Sequence, residues 1–340
     1  MIMQQENSFW FTLPRPIIAM APMEDVTDTV FRELIMGISA KDCLHVVFTE
    51  FTSTDGLCNS RGREKVRHRL IVSETERSLL EEKNVRIVAQ LWGSEPEMFS
   101  RSARMVEEEG VFDGIDINMG CPVRKIINQG ACSALIMTPL LAAEIIQAVK
   151  ESTRLPVSVK TRIGFNSIET EPWIGTLLKQ NPDAIIIHAR VQSAESKGPV
   201  MWDEIKKSVN LRDQFASSTL ILGNGDILSL AEARQKAAET GADGIMIGRG
   251  VFHNPWIFNH PQAEHSPDDK LSLLMQHTRL FTSTWKDEKN FDILKRFFRI
   301  YASGFPGASA LRTDLMETRS MDEVEKVVQR FSPATPNILN

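Results

Sequence analysis

The sequence predicts a closed barrel of eight parallel β-strands interleaved with helices, the (β/α)₈ or TIM barrel, followed by a small all-helical domain. Three observations predict it. First, one six-residue shape recurs at 113–118, 183–188 and 243–248: an Asp, a small residue, then an Ile-rich run closed by Asn118, His188 or Gly248. Short β-branched runs bounded by turn residues suit strands buried on both faces of a parallel sheet, and the recurrence falls two βα units apart. Second, further runs at 17–21, 46–50, 87–91, 157–161 and 220–222 complete the eight strands that closure needs. Third, after about Pro261 the spacing turns purely helical. A barrel takes about 250 residues and the chain has 340, so the expected domains are 1–260 and 261–340.

Helix starts fall between the strands. Ser94-Glu95-Pro96-Glu97 has capping-box spacing, with Phe99, Ala103 and Val106 on one face beyond it. Thr138-Pro139 opens a helix bearing Leu141, Ile145 and Ala148, and Ser229 to Glu232 is a second box after the turn at 223–226. This strand–helix alternation is the α/β signature. In the tail, Leu271, Leu274, Met275, Thr278 and Phe281 keep helical spacing, as do Phe291, Leu294, Phe298 and Tyr301. A last helix starts at the box Ser320 to Glu323 and carries Val324, Val327 and Val328.

Composition bounds the setting. Hydrophobic residues at 42% and charged residues at 24% suit a soluble enzyme, and no apolar run reaches the roughly 18 residues of a membrane span. Glu6, Asn7 and Ser8 interrupt any basic-then-apolar leader. Cys43, Cys58, Cys121 and Cys132 form no CxxC pair, so a reducing cytoplasm is expected, with no membrane partner and a monomeric chain. A net charge of −5 weighs against a protein that coats nucleic acid, but steering depends on how charge is distributed. Arg61, Arg63, Lys65, Arg67 and Arg69 alternate through one stretch; a solvated loop is the plain alternative reading.

Barrel sites are built where strands end. Those ends read Met23, Glu50, Gln90, Asn118 with Cys121, Lys160 with Arg162, His188 with Arg190, Asn224 with Asp226, and Gly248 with Arg249. Asn224-Gly225-Asp226 and Gly248-Arg249-Gly250 close the last two strands, where barrels commonly hold a phosphate. Glycine turns expose backbone N–H groups, and Arg249 adds a cationic fork. Phosphate alone leaves a flavin and a sugar phosphate both open. Lys160 leans toward flavin, since a strand-end cation stabilises negative charge on the N1–C2=O side of a reduced ring. Gln90 could bond the pyrimidine edge, Pro22 and Met23 could pack on its face, and His188 could meet the phosphate or the ring. A surface salt bridge for Lys160 and backbone capping for Gln90 are the plain alternatives.

Cys121 stands three residues past a strand end in a Gly-Cys-Pro turn, which points its thiol at the barrel mouth. An ordinary thiol, with a pKa near 8.5, is mostly protonated at neutral pH and can donate a proton as well as attack. Arg124 and Lys125 add positive charge. The other three cysteines read as inert buried hydrophobes. No second Cys or His sits at ligand spacing, so no metal is expected.

In this order the pieces resemble the dihydrouridine synthase family. They are Ala21-Pro22-Met23, Val26-Thr27-Asp28, Phe31-Arg32, Gln90-Leu91-Trp92-Gly93, Asp116 through Pro122, Lys160-Thr161-Arg162, His188-Ala189-Arg190, the turn at 223–227, and Gly248-Arg249-Gly250 with Asn254-Pro255-Trp256. The match is close over 17–258 and looser in the tail. Two stretches depart from the family pattern: 70–82, which fits no motif, and Val191 to Glu195, which is less basic than usual. The resemblance implies an FMN enzyme, reduced by NADPH, that saturates the C5–C6 bond of uridines in tRNA. Hydride would go from FMNH⁻ to C6 and a proton from Cys121 to C5. By position, Pro22, Met23, Gln90, Lys160, His188, Asn224, Gly225, Asp226, Gly248 and Arg249 would hold FMN, and Asn118 and Arg190 would touch the uracil. The tail would bind RNA, with Lys295, Arg296 and Arg299 as candidates for its backbone. Two alternatives remain: a barrel flavoenzyme acting on a free pyrimidine, and a redox-inactive RNA-binding barrel.

Overall fold

Residues 8–331 are described by the computed structural model. The ends of both expected domains, with Glu6 and Asn7, lie outside the described residues. The strands are β1 (Ile17–Met20), β2 (Val46–Phe48), β3 (Thr52–Ser53), β4 (Arg86–Trp92), β5 (Gly114–Met119), β6 (Val157–Arg162), β7 (Ala184–His188), β8 (Leu220–Asn224) and β9 (Gly244–Ile247). Neighbours pair in parallel from β4 round to β9, β9 pairs β1, β1 pairs β2, and β2 returns to β4. That closes an eight-stranded barrel, so the predicted fold class is the one observed. β3 continues the line of β2 against Leu91 and Trp92; at two residues it is too short to leave a pattern.

Side chains alternate across each strand, and two cores result. Ile17, Ala19, Val46, Phe48, Val88, Ala184, Ile186, Leu220, Leu222 and Met246 fill the barrel. Ile87, Ala89, Ile115, Ile117, Val157, Val159, Ile185, Ile187 and Ile245 face the helices outside. A short helix, Phe9–Thr12, plugs the barrel's N-terminal end with buried Phe9 and Trp10. A Cβ on Gly114, the first residue of β5, would meet the Phe9 ring at 3.2 Å. Four residues carry no periodicity, so the plug leaves no signal in the sequence.

Caps separate good motif readings from incidental ones. The helix Leu230–Thr240 starts at Ser229, whose hydroxyl accepts from Glu232 N, and the helix Met321–Arg330 starts likewise at Ser320. The box at Ser94 does not form: Pro96 takes the first helical position of Pro96–Glu109, which makes Glu95 the N-cap, with no side-chain bond. A full box forms instead at Ser266 and Asp269, ahead of the helix Pro267–Trp285.

The tail is helical, with Pro267–Trp285, Lys295–Tyr301, Ala308–Glu317 and Met321–Arg330. Its apolar side continues the outer core of the barrel through Leu274, Phe281, Phe297 and Phe298. Polar contacts fasten it to the barrel mouth. Trp285 Nε1 donates to Asp28 at 2.8 Å, while Lys289 bridges Asp28 and Glu50 at 3.0 and 3.3 Å. Arg296 donates to the carbonyl oxygens of Glu24 and Asp25. Glu50, a strand-end residue, is therefore fully buried as part of this fastening. The carboxylates of Glu24, Asp25 and Glu50 lie within 4.8 Å of one another, and Arg69, Arg296 and Lys289 respectively compensate them. No helix among the described residues is long and apolar enough to cross a membrane.

Candidate active site at the barrel mouth

Register decides which strand-end side chains meet. Gln90 pairs with Asp116, Asp116 with Ser158, Asn118 with Lys160, Arg162 with His188, and His188 with Asn224. Period-two alternation turns Asp116, Asn118, Ser158, Lys160, His188 and Asn224 inward, above the apolar filling of the barrel. A cavity of about 190 Å³ opens there, with Pro22, Gln90, Asn118, Cys121, Lys160 and His188 in its wall. Phe51, Gly120, Pro122 and Arg162 complete the lining. Sequence spacing brings Arg162 only to a strand end and gives Phe51 no place.

A hydrogen-bond chain runs from the barrel interior to the Cys121 loop. Asp116 is fully buried and accepts from Ser158 Oγ and from Gln90 Nε2, both at 2.6 Å. Burial pushes its carboxyl up to about 6 against those two bonds. Gln90 Oε1 accepts from Asn118 Nδ2 at 3.0 Å, and Asn118 Oδ1 accepts from the amides of Gly120 and Cys121 at 3.1 and 3.0 Å. Ser133 Oγ donates to the Cys121 carbonyl at 2.7 Å. Asn118, expected at the substrate, thus also shapes the turn that carries the thiol. Asp116 anchors the chain, and a carboxylate in the middle of an Ile-rich strand is the sequence signal for it.

The Cys121 thiol does not sit at the ordinary value for cysteine. The neighbouring Cys132 thiol is the largest influence and, with the backbone at Val123 and the charge of Arg162, it brings the Cys121 thiol down to about 7 against the effect of burial. Cys132 is fully buried as expected, yet it is no inert filler: it acts on the Cys121 thiol from a backbone with φ 55°. Non-glycine residues rarely adopt that conformation.

Lys160 lies deep, and burial lowers its ammonium to about 8, with the charge of Arg162 adding to the effect. Among the described residues its one hydrogen bond is to Asn224 Oδ1 at 3.3 Å. An ammonium carries three donors, and Lys160 borders the cavity. Asn224 is itself fixed by donating to the Met246 carbonyl at 2.8 Å. Arg162 donates through Nε to the Gly120 carbonyl at 2.7 Å and through Nη1 to Glu195 and Val191, so it braces the Cys121 loop from below.

The loops after β8 and β9 stand where the sequence places a phosphate. Gly225 adopts φ 147° and Asp226 φ 45°, and a Cβ on Gly225 would meet Val200 at 2.5 Å. The amides of Gly225, Asp226 and Arg249 make no hydrogen bond to another described residue. Such unpaired N–H groups beside an arginine can cradle an anion. The Asp226 carboxylate takes no part in the cradle, because Arg190 and Arg249 bind it and hold it well below the usual carboxylate range. Arg190 is 2% exposed and also donates to the Gly198 carbonyl. It lies on this phosphate side and is not in the wall of the Cys121 cavity. Its Nη1 stands 3.2 Å from His188 Nε2. A guanidinium can only donate, so Nε2 accepts and the ring proton sits on Nδ1. Burial, then Lys160, keeps His188 far below its ordinary range and hence neutral. Met23, half-buried, packs on the outer core and bonds Thr27 through its backbone. Gly248 sits beside Ala21 across the β9–β1 seam.

A family profile described as dihydrouridine synthase (Dus) matches residues 19–336. A "Probable tRNA-dihydrouridine synthase" of Staphylococcus aureus (strain COL) is 43% identical over 328 residues, covering 96% of each chain. A "Probable tRNA-dihydrouridine synthase 2" of Bacillus subtilis (strain 168) is 43% identical over 327 residues, covering 96% of this chain and 97% of its own. Among solved structures, histamine dehydrogenase from Rhizobium sp. 4-9 aligns with TM-score 0.54 at 11% identity over 77% of this chain. That likeness is one of fold; the present chain spans 48% of that protein's length.

Proposed function

The chain belongs to the dihydrouridine synthase family, and from that premise we propose that it reduces the C5–C6 bond of uridines in tRNA, with FMN as cofactor, NADPH as transient reductant and Cys121 as proton donor. The observation that supports this most is one cavity holding a thiol brought to about 7 and a buried, under-partnered lysine. The residues fit a flavin: an anion cradle at one end, an ammonium with free donors in the middle, and an acid beyond it. Reduced FMN bound there supplies hydride to C6 of the base.

Everything else falls to the chain's own groups. Lys160 would stabilise the negative charge on the pyrimidine side of the reduced ring. Pro22, Gln90 and neutral His188 line the ring's pocket. The amides of Gly225, Asp226 and Arg249 take the phosphate, with Asn224, Gly248 and Met23 shaping the approach. Cys121 gives its proton to C5, and Cys132 and Arg162 stabilise the thiolate left behind. Asn118 and Arg162 face the uracil, while Arg190 stiffens the phosphate side through Asp226. The base must leave its stack to enter. The helical region, described over 261–331, grips the RNA through a groove lined by Lys295, Arg296, Arg299 and Arg312 around Phe298.

The reading is tested by mapping dihydrouridine across the tRNAs of cells with and without this chain. Loss of the modified base at defined positions is expected; an unchanged map, or turnover of free uracil in preference to tRNA by the purified protein, would overturn it. Two local predictions arise here. Lys160→Met should weaken FMN binding to the apoprotein about 10–100-fold, the worth of a hydrogen bond to a charged group, read by fluorescence titration. Cys132→Ala should move the pH midpoint for alkylation of Cys121 upward from about 7 toward 9, because the donor that favours the thiolate is gone; an unmoved midpoint would remove Cys132 from that role.

A further inference from the structure

The basic run at 61–69 folds into two adjoining pieces, the helix Ser60–Val66 and the turn Arg67–Leu70. They belong to the insert between β3 and β4. Arg61, Lys65 and Arg67 are exposed and make no ion pair or side-chain hydrogen bond with another described residue. Across 60–70 the single acidic residue, Glu64, stands among five Lys and Arg. On a chain of net charge −5, three exposed cations with no ion pair among the described residues raise the local potential against the overall field, although Glu108 and Glu109 border the same hollow as Arg63 and Arg67.

Its placement matters as much as its charge. The insert ends at the barrel mouth: Arg69 pairs with Glu24, and the His68 ring meets Trp285 edge-on at 6.3 Å. Arg296, from the helical region, donates to the carbonyls of Glu24 and Asp25 at 3.4 and 3.0 Å. The loop that directly follows β1 is therefore flanked by the insert on one side and by the helical region on the other. A polyanion whose base enters the cavity between them is met by both.

We propose that Arg61, Lys65 and Arg67 form a second RNA-backbone contact, which works with the groove of the helical region to hold tRNA across the barrel mouth. This rests on the reading that the substrate is tRNA. The contact is to phosphates and carries no sequence information, so it contributes affinity and orientation while the choice of uridine lies elsewhere.

The test uses the full flavin-loaded chain and its triple variant Arg61→Gln, Lys65→Gln, Arg67→Gln, with tRNA binding measured by fluorescence anisotropy from 50 to 200 mM salt. Each lost phosphate contact makes the slope of log K against log salt shallower by about 0.9, so a change of about 2–3 is expected, together with an affinity loss of about tenfold at the low-salt end. Bound flavin absorbance serves as the control for folding. A variant that retains flavin and binds tRNA with the parent slope and affinity overturns the inference. Failure of the parent enzyme to form dihydrouridine would instead overturn the underlying function, so the two failures are distinguishable.

Discussion

Replacing Cys121 by Ala is expected to lower dihydrouridine formation by about 10²–10⁴-fold, the usual cost of losing a general acid. The variant should still bind FMN and let NADPH reduce it, because the cradle of Gly225, Asp226 and Arg249 and the Lys160 ammonium are untouched. The pH dependence follows from the thiol's own position. A proton donor must be protonated, and burial and the Cys132 bond together leave Cys121 at about 7. Product formation should therefore fall with rising pH above about 7, by tenfold per unit once the thiolate dominates, whereas flavin reduction should not follow that limb. In Cys121→Ala the limb should vanish with the rate. Rapid-mixing kinetics that separate flavin reduction from its reoxidation by tRNA make the measurement. A variant that reoxidises at a rate within about threefold of the parent, against a loss of at least a hundredfold expected for an acid, would show that water or another group supplies the proton.

Much of this site is legible in the sequence, for a reason that lies in strand geometry. A parallel strand buried on both faces ends where its side chains reach the mouth, so a polar residue closing an Ile-rich run marks the site by itself. Asn118, Lys160, His188 and Asn224 all stand out that way, and register sets them side by side. What the sequence withholds depends on partners distant along the chain. Cys132 looks like filler because nothing local reveals a left-handed backbone that turns its thiol toward Cys121. Arg190 looks like a substrate ligand by position, yet its guanidinium is taken up by Gly198, Asp226 and His188. Arg296 looks free for RNA, and part of its reach goes to the barrel loop. In each case the residue is legible in the sequence and the pairing, which sets availability, is hidden.

The stretch 70–82 carries this point furthest, because it matches no pattern and yet depends on one of the most buried interactions in the molecule. It contains most of the helix Glu74–Lys83, whose Glu76 is fully buried against Arg32, itself fully buried. Arg32 Nε donates to Glu76 Oε1 at 2.6 Å and Nη2 to Oε2 at 2.9 Å, and Thr29 Oγ1 adds a third bond to the carboxylate at 2.5 Å. Two further donors reach the carbonyls of Thr27 and Ile71 at 2.6 and 2.8 Å. Arg32→Met should therefore destabilise the protein by about 3–5 kcal/mol, since it leaves a buried carboxylate with no cation. The double variant Arg32→Met, Glu76→Leu should recover most of that loss, because removing both charges also removes the desolvation cost. Urea midpoints of the three proteins decide it: a single variant within about 1 kcal/mol of the parent, far below the cost of an unpaired buried charge, would mean that Glu76 is protonated in the native state. The consequence reaches function through Ile71. Its carbonyl is bound by Arg32 directly after the turn Arg67–Leu70, so the same guanidinium that neutralises Glu76 pins the end of the basic insert to the helix Thr29–Ile38. If the insert contacts RNA, Arg32→Met should also weaken tRNA binding at temperatures where the protein remains folded, without any change at the surface arginines themselves.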